Sequence, residues 1–345
     1  MGRRWHHYQL SAISRRYFWE ARVIPAKWLA EADTRLDAHI RRTPLTYDAA
    51  RDLYIKWENH QVTGSFKVRG ALNKALTLLP WEREMGFVAA SAGNHGQGVA
   101  LAGKLLNAPV IVFAPQDAPL VKLDAIRELG AEVRLIRGGY HEAEKAGLTF
   151  AKENQSTWIS PYNDGQVIAG QSTLATEVLR AEPKTAAATW LVPVSGGGLL
   201  AGISSVLREQ ANPALRPRSA QARVIGLQAE ASAFMRSLYY RGTQKGIPDL
   251  PTIADGLAGA VEKKSITIPL IKKNVDEIIL LSEEEIERAV AFAWHEYGEK
   301  IEGSGAVGLA AILAGKATRR PAVAVVSGGN IQPEAHQEII DRYEI

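Results

Sequence analysis

The chain has 345 residues, 46% hydrophobic and 23% charged, which is ample apolar material for a large core and more length than one compact unit usually takes, so two domains are expected. It contains no cysteine, which excludes disulfides, thiolate nucleophiles and cysteine-ligated metals or clusters. No stretch offers the roughly 20 apolar residues that a membrane helix needs. The net charge of +4 sits in residues 1–22, where Arg3, Arg4, Arg15, Arg16 and Arg22 face a single acid, Glu20, so residues 23–345 sum to zero. A basic tail is not a nucleic-acid-binding surface on a folded body, and neither a nucleic-acid nor a membrane partner is expected. The tail matches an organellar transit peptide only in being Arg-rich and acid-poor, and it reads as a poorly ordered or packed extension. With no disulfide framework, a cytoplasmic address is expected.

From about residue 50, short apolar runs alternate with amphipathic stretches. Residues 52–58 predict a strand and 65–79 a helix capped by Ser65. Residues 86–91 predict a strand, 94–106 a helix, 109–115 a strand, and then a helix that stops at Gly130. Next come a strand at 131–136, a helix at 142–154, a strand at 188–195, a helix at 198–210 and a strand at 222–228. Helices at 283–298 and 305–315 and a strand at 321–327 complete the pattern. Strands apolar throughout and joined by helices predict an α/β fold with two open, mainly parallel sheets covered by helices, whose ligands lie beyond the C-terminal strand ends.

Four segments carry candidate chemistry. Thr63 to Gly70 places Lys67 in the first turn of a helix, on its otherwise apolar side beside Phe66. Partial burial would lower its pKa and free the amine as nucleophile or base, although by itself the residue reads as a lysine snorkelling along the core. Ser91-Ala92-Gly93-Asn94-His95-Gly96-Gln97-Gly98 follows a strand and opens a helix, a seat for an anion such as a carboxylate, with His95 read as held by the turn. Ser195-Gly196-Gly197-Gly198-Leu199 exposes backbone N–H groups that can wrap a phosphate. It fails the dinucleotide spacing, because Gly202 comes one residue late, and it lacks a Walker lysine, so it speaks for phosphate without choosing a cofactor. Ser327-Gly328-Gly329-Asn330, after the last strand, is a generic turn taken alone. Three of these motifs fall at strand ends, which argues for one site.

Together they resemble the fold-type II pyridoxal-phosphate enzymes, with the tryptophan synthase β-like fold, and within them the threonine/serine dehydratase and serine racemase group. The resemblance runs from Pro44 to about Asn330. It includes Ile55-Lys56-Trp57-Glu58, Pro161-Tyr162-Asn163-Asp164, Ile168-Ala169-Gly170-Gln171, Ala254-Asp255-Gly256 and Glu302-Gly303-Ser304-Gly305-Ala306. It implies a large cofactor-binding domain from residues 1–70 and 165–345, with 1–22 as its basic extension, and a small substrate-loop domain at 71–164. It implies pyridoxal 5′-phosphate held as a Schiff base on Lys67, which is also the base at the substrate Cα. Phe66 would pack near the ring, Asn94 would bond the ring hydroxyl, and Gly196, Gly197, Gly198 and Leu199 would cradle the phosphate. Ser327 would face the pyridine nitrogen. Ser91, Gly93, Asn94, His95 and Gln97 would receive the substrate carboxylate. A homodimer or higher homo-oligomer is what the resemblance suggests.

The reaction expected is β-elimination. A hydroxyl at the pyridine nitrogen, unlike a carboxylate, does not hold the ring as a deep electron sink, so expelling a β-leaving group is favoured over transamination. A β-hydroxy amino acid, L-threonine or L-serine first, would give a 2-oxo acid and ammonia. Racemases of the group carry a serine where this chain has Ala92, which cannot move a proton, so racemisation ranks second and β-replacement third. A phosphate-ligand-binding regulatory protein is the non-enzyme alternative; it would need the glycine loop but not Lys67. No metal site is expected: Gln228-Ala229-Glu230 stands where some relatives bind a divalent cation through an acid. Residues 256–259 and 262–264 differ from the simplest threonine dehydratases, which leaves a dehydratase of another β-hydroxy amino acid, bulkier or acidic, as an alternative, and no regulatory domain is expected after Asn330.

Overall fold

The computed structural model describes residues 23–210 and 221–343; the basic extension 1–22 lies outside them. Among the described residues ten strands form two sheets. The larger runs β1 (Leu45–Asp48), β2 (Leu53–Trp57), β10 (Ala322–Val326), β7 (Thr189–Pro193), β8 (Arg223–Ala229) and β9 (Glu277–Leu281), with only β1 antiparallel. The smaller runs β5 (Glu132–Ile136), β4 (Val110–Pro115), β3 (Phe87–Ala90) and β6 (Thr157–Trp158), all parallel. This is the α/β arrangement of two mainly parallel sheets that the apolar runs predicted.

Parallel strands buried on both faces need apolar residues at every position, and alternate residues must feed opposite cores. In β10, Val323 and Val325 join one core while Ala322, Ala324 and Val326 join the other. In β3, Phe87 and Ala89 face one way, Val88 and Ala90 the other. The helices are α1 (Ala26–Leu36), α2 (Lys67–Leu76), α3 (Pro80–Glu84), α4 (Asn94–Leu106), α5 (Leu120–Glu128), α6 (Tyr140–Glu153) and α7 (Gly165–Ala181). They continue with α8 (Gly198–Gln210), α9 (Phe234–Arg241), α10 (Thr267–Asn274), α11 (Glu283–Tyr297), α12 (Gly303–Leu313) and α13 (Pro333–Arg342). Among the described residues no helix is long and apolar enough to cross a membrane.

The start of α2 departs from expectation. Ser65 does not cap it; Phe66 occupies the N-cap position and the helix begins at Lys67. Ser65 instead forms a bridge with Gly328, and the Phe66 N–H donates to Ser327 O at 3.1 Å. Tertiary pairing with the loop after β10 thus takes the backbone that a local cap would have used.

What anchors α2 is a buried charge network. Arg69, fully buried, donates to both Glu58 oxygens at 2.7 and 2.8 Å and to Glu177 Oε1 at 2.6 Å. Lys56 Nζ donates to Glu177 Oε2 and to Thr43 O, each at 2.7 Å. Two cations meet two carboxylates, so the cluster is neutral and its geometry is bidentate. It ties β2, α2 and α7 together two residues from Lys67. The α2–α7 contact is close because Gly170 faces the backbone of Arg69, where a Cβ would stand 2.3 Å from the carbonyl oxygen. The Ile168-Ala169-Gly170-Gln171 motif therefore serves helix packing.

Candidate active site

Four chain segments converge between the sheets: the start of α2 and the loops that follow β3, β7 and β10. Lys67 is half-buried as a residue, with its Nζ enclosed 3.4 Å from Pro161 O and 5.2 Å from the centre of the Phe66 ring. Burial brings its amine down to about 8, opposed by the Glu302 carboxylate. At that value about a tenth of the amine is unprotonated at pH 7 and more above it, and that fraction can act as a nucleophile or base.

The loop after β3 turns at Ser91, whose Oγ accepts from the Gly93 N–H at 3.1 Å, and α4 then begins at Asn94. The first N–H groups of a helix have no partner within it and favour an anion. A Cβ at Gly93 would meet nothing within 4 Å, so this side of the turn is open. His95 is buried, and its Nε2 must donate to Ile159 O at 2.8 Å, which leaves Nδ1 bare and without a partner. Burial, with the Lys67 charge beside it, brings the imidazole down to about 3. His95 is thus neutral, and it is held by Ile159 O, after β6, rather than by its own turn. Gln97 is buried on the same helix.

Asn94 is oriented by a hydrogen-bonded triangle. Its Oδ1 accepts from Asn330 Nδ2 at 2.6 Å and its Nδ2 donates to Glu302 Oε1 at 2.8 Å, while the Asn330 backbone N–H also reaches the Glu302 carboxyl. One Nδ2 hydrogen remains for a further acceptor. Ser327 is buried and its Oγ donates to Ser304 O at 3.3 Å.

The glycine loop lies between β7 and α8, and Gly197 has φ +91°, a left-handed conformation that a side chain would strain. Gly196 O accepts from Thr267 Oγ1 at 2.6 Å, and Leu199 is buried in the core beneath. Tyr162 covers the loop: a Cβ on Gly196 would stand 2.3 Å from its ring, and one on Gly198 would lie 3.0 Å from its Cα and Cβ. The Tyr162 hydroxyl accepts from the Glu262 N–H at 3.0 Å. Gly196→Ala is expected to displace Tyr162 at a cost of about 1–3 kcal/mol. The check is phosphate-ligand affinity by calorimetry, with unchanged affinity counting against the loop as a seat.

Glu302, Asn330 and Tyr162 received no role from sequence, although each stands in a motif quoted for the resemblance. The available signal was a glutamate heading a run of small residues, Gly303 to Ala306, which become a buried helix start. Burial makes ionisation of a carboxyl there costly and so raises its pKa.

An enclosed lysine with a lowered amine pKa, an oriented amide and a glycine-rich helix start are the features expected of an enzyme that binds a phosphorylated carbonyl cofactor. Comparison with known proteins agrees. A family model for pyridoxal-phosphate dependent enzymes matches residues 36–328, and the chain belongs to that family. It is 39% identical to the L-threonine ammonia-lyase of Thermotoga maritima over 328 residues, covering 93% of this chain and 79% of that protein. The structure of maize serine racemase superposes with a TM-score of 0.82 at 27% identity, covering 93% of this chain and 97% of that one. That of the processed form of threonine deaminase isoform 2 from Solanum lycopersicum gives 0.80 at 28%, covering 93% and 94%. Pyridoxal 5′-phosphate is therefore the cofactor, and the residues fit it on the structure's own terms. An enclosed amine makes a single long hydrogen bond to Pro161 O, and the next residue, Tyr162, packs on a loop whose Gly196 and Gly198 leave no room for side chains.

Proposed function

We propose that this enzyme dehydrates and deaminates a β-hydroxy amino acid, with L-threonine and L-serine as preferred substrates, and that Lys67 holds its cofactor. It is a pyridoxal-phosphate-dependent ammonia-lyase of the threonine/serine dehydratase type, releasing a 2-oxo acid and ammonia. The observation that carries the assignment of Lys67 is its amine, brought down to about 8 inside the cleft formed with the Asn94 helix and the Tyr162-covered loop.

Bound there, pyridoxal 5′-phosphate withdraws electrons from the substrate Cα. Gly196, Gly197, Gly198 and Leu199 would hold its phosphate through backbone N–H groups at the start of α8. Phe66 would pack beside its ring, Ser327 would meet the ring nitrogen, and the free Nδ2 hydrogen of Asn94 would be available to the ring oxygen. Ser91, Gly93, Asn94, His95 and Gln97 frame the substrate carboxylate at the start of α4. Lys67 Nζ removes the Cα proton. His95 moves none, because its Nε2–H is committed to Ile159 O and its neutral form persists to about pH 3. Ala92 offers no acid or base from its loop, which favours elimination over racemisation.

On the same reading residues 1–70 with 165–345 act as the large domain and 71–164 as the small one. The enzyme works in the cytoplasm as a homodimer or higher homo-oligomer, without nucleic acid; the zero formal charge of residues 23–345 supports the last point. The reconstituted protein, incubated with L-threonine and L-serine, is expected to release ammonia and 2-oxo acid in equal amounts. Predominant formation of the D-isomer would make it a racemase instead.

A further inference from the structure

Glu302 has no task in the roles above, yet it touches most of the site. Its backbone N–H donates to Gly328 O at 3.1 Å, beside Ser327. Its side chain turns inward, and the residue is 8% exposed. The carboxyl accepts from Asn94 Nδ2 and from the Asn330 N–H. Among the described residues no lysine or arginine forms an ion pair with it. Lys122 on α5 is spent on Asp255 at 2.5 Å, across the cleft. The charged groups facing Glu302 are thus Lys67 from α2, Asp255 from the turn at 255–257, and Lys122 behind Asp255. His95 on α4 is turned to Ile159 O.

We propose that Glu302 is a positioning residue, holding Asn94 toward the cofactor while its ionised carboxylate strengthens Lys67 as a base. This rests on the reading of Lys67 and Asn94 above. The physical reason is local. Asn94 can turn its free hydrogen to one place only because Asn330 fixes its oxygen and Glu302 its other hydrogen. A carboxylate near the Lys67 amine favours the protonated amine and so raises its basicity. Burial, with the Asp255 carboxylate adding to it, pushes the Glu302 carboxyl up to about 7, so its charge changes near neutral pH.

Two measurements test this, the first without cofactor. A carboxyl whose pKa is higher in the fold than in the unfolded chain contributes stability that is present at low pH and lost as pH rises through the folded value. Glu302→Gln keeps an acceptor for Asn94 but cannot ionise. The thermal midpoint of Glu302→Gln relative to the wild type is therefore expected to climb between about pH 5 and 8 and then level. Asp255→Asn is expected to move the wild-type transition to lower pH. A Glu302→Gln difference flat across that range, or an Asp255→Asn profile superimposed on the wild type, would overturn the proposal. In the cofactor-loaded enzyme, kcat is expected to fall on the acid side with an inflection near pH 7. Glu302→Gln should lose that inflection and about tenfold in kcat, the equivalent of one pH unit of basicity, with KM little changed. Glu302→Asp should restore the inflection. An unaltered pH profile in Glu302→Gln overturns the proposal. A wild type that takes up no pyridoxal 5′-phosphate defeats the Lys67 reading instead, and the stability profiles still decide the ionisation of Glu302.

Discussion

Lys67→Ala is expected to abolish turnover, by at least about 10³-fold, while leaving a folded protein. The loss is large because one amine carries two tasks, attachment of the cofactor and removal of the Cα proton. The fold should survive because Lys67 Nζ makes a single long hydrogen bond, 3.4 Å to Pro161 O, and its burial opposes its charge. Removing a poorly paired buried cation leaves the thermal midpoint unchanged or raises it. The wild type mixed with pyridoxal 5′-phosphate is expected to be coloured, and borohydride should fix the label on Lys67. Ammonia release within tenfold of the wild type in Lys67→Ala would remove the lysine from the mechanism. A colourless wild type that cannot be reconstituted would favour the phosphate-ligand-binding alternative.

Arg69→Met is expected to destabilise the protein by about 3–5 kcal/mol, the cost of leaving buried charges uncompensated. Glu58 would lose its bidentate partner with no solvent to replace it, and Glu177 would keep only Lys56. The large figure belongs to breaking the network, since replacing a whole buried ion cluster with packed apolar groups can be neutral. Adding Glu58→Gln to Arg69→Met should therefore recover part of the loss, and denaturant unfolding of the three variants measures the coupling. A loss below about 1 kcal/mol for Arg69→Met would mean that α2 is held by its apolar face alone. Because α2 opens with Lys67, the same substitution should also lower kcat without removing the cofactor label.

Much of the architecture was readable because parallel strands buried on both faces leave an unmistakable pattern of apolar runs. The limits of α4, α8 and seven of the ten described strands fell within two residues of expectation, while β1, β6 and β9 were not foreseen. Elements lacking that contrast were not foreseen. Helix α7 buries ten of its seventeen residues, among them Gln171, Ser172 and Thr173, so its buried face does not read as apolar. The edge strand β1 and the two-residue β6 are too short to signal themselves. Ser65 looked like a cap because propensity is local, while the competing partner, Gly328, lies far along the chain.

The same division runs through the site. Lys67, the turn at 91–98 and the glycine loop could be read from sequence, since each is a short segment whose residue types permit few chemistries. On those residues rested the expectation of pyridoxal 5′-phosphate as cofactor, which the family match bears out; Lys67 as its anchor is our proposal. Tertiary structure alone decided which neighbours tune them. Glu302 is 208 residues from Asn94, Asn330 is 236 from it, and Glu177 is 108 from Arg69, yet each pair is in direct hydrogen bond. A sequence shows which groups a protein has; desolvation and the charges of distant partners, set only when the sheets pack, determine the protonation state in which those groups stand.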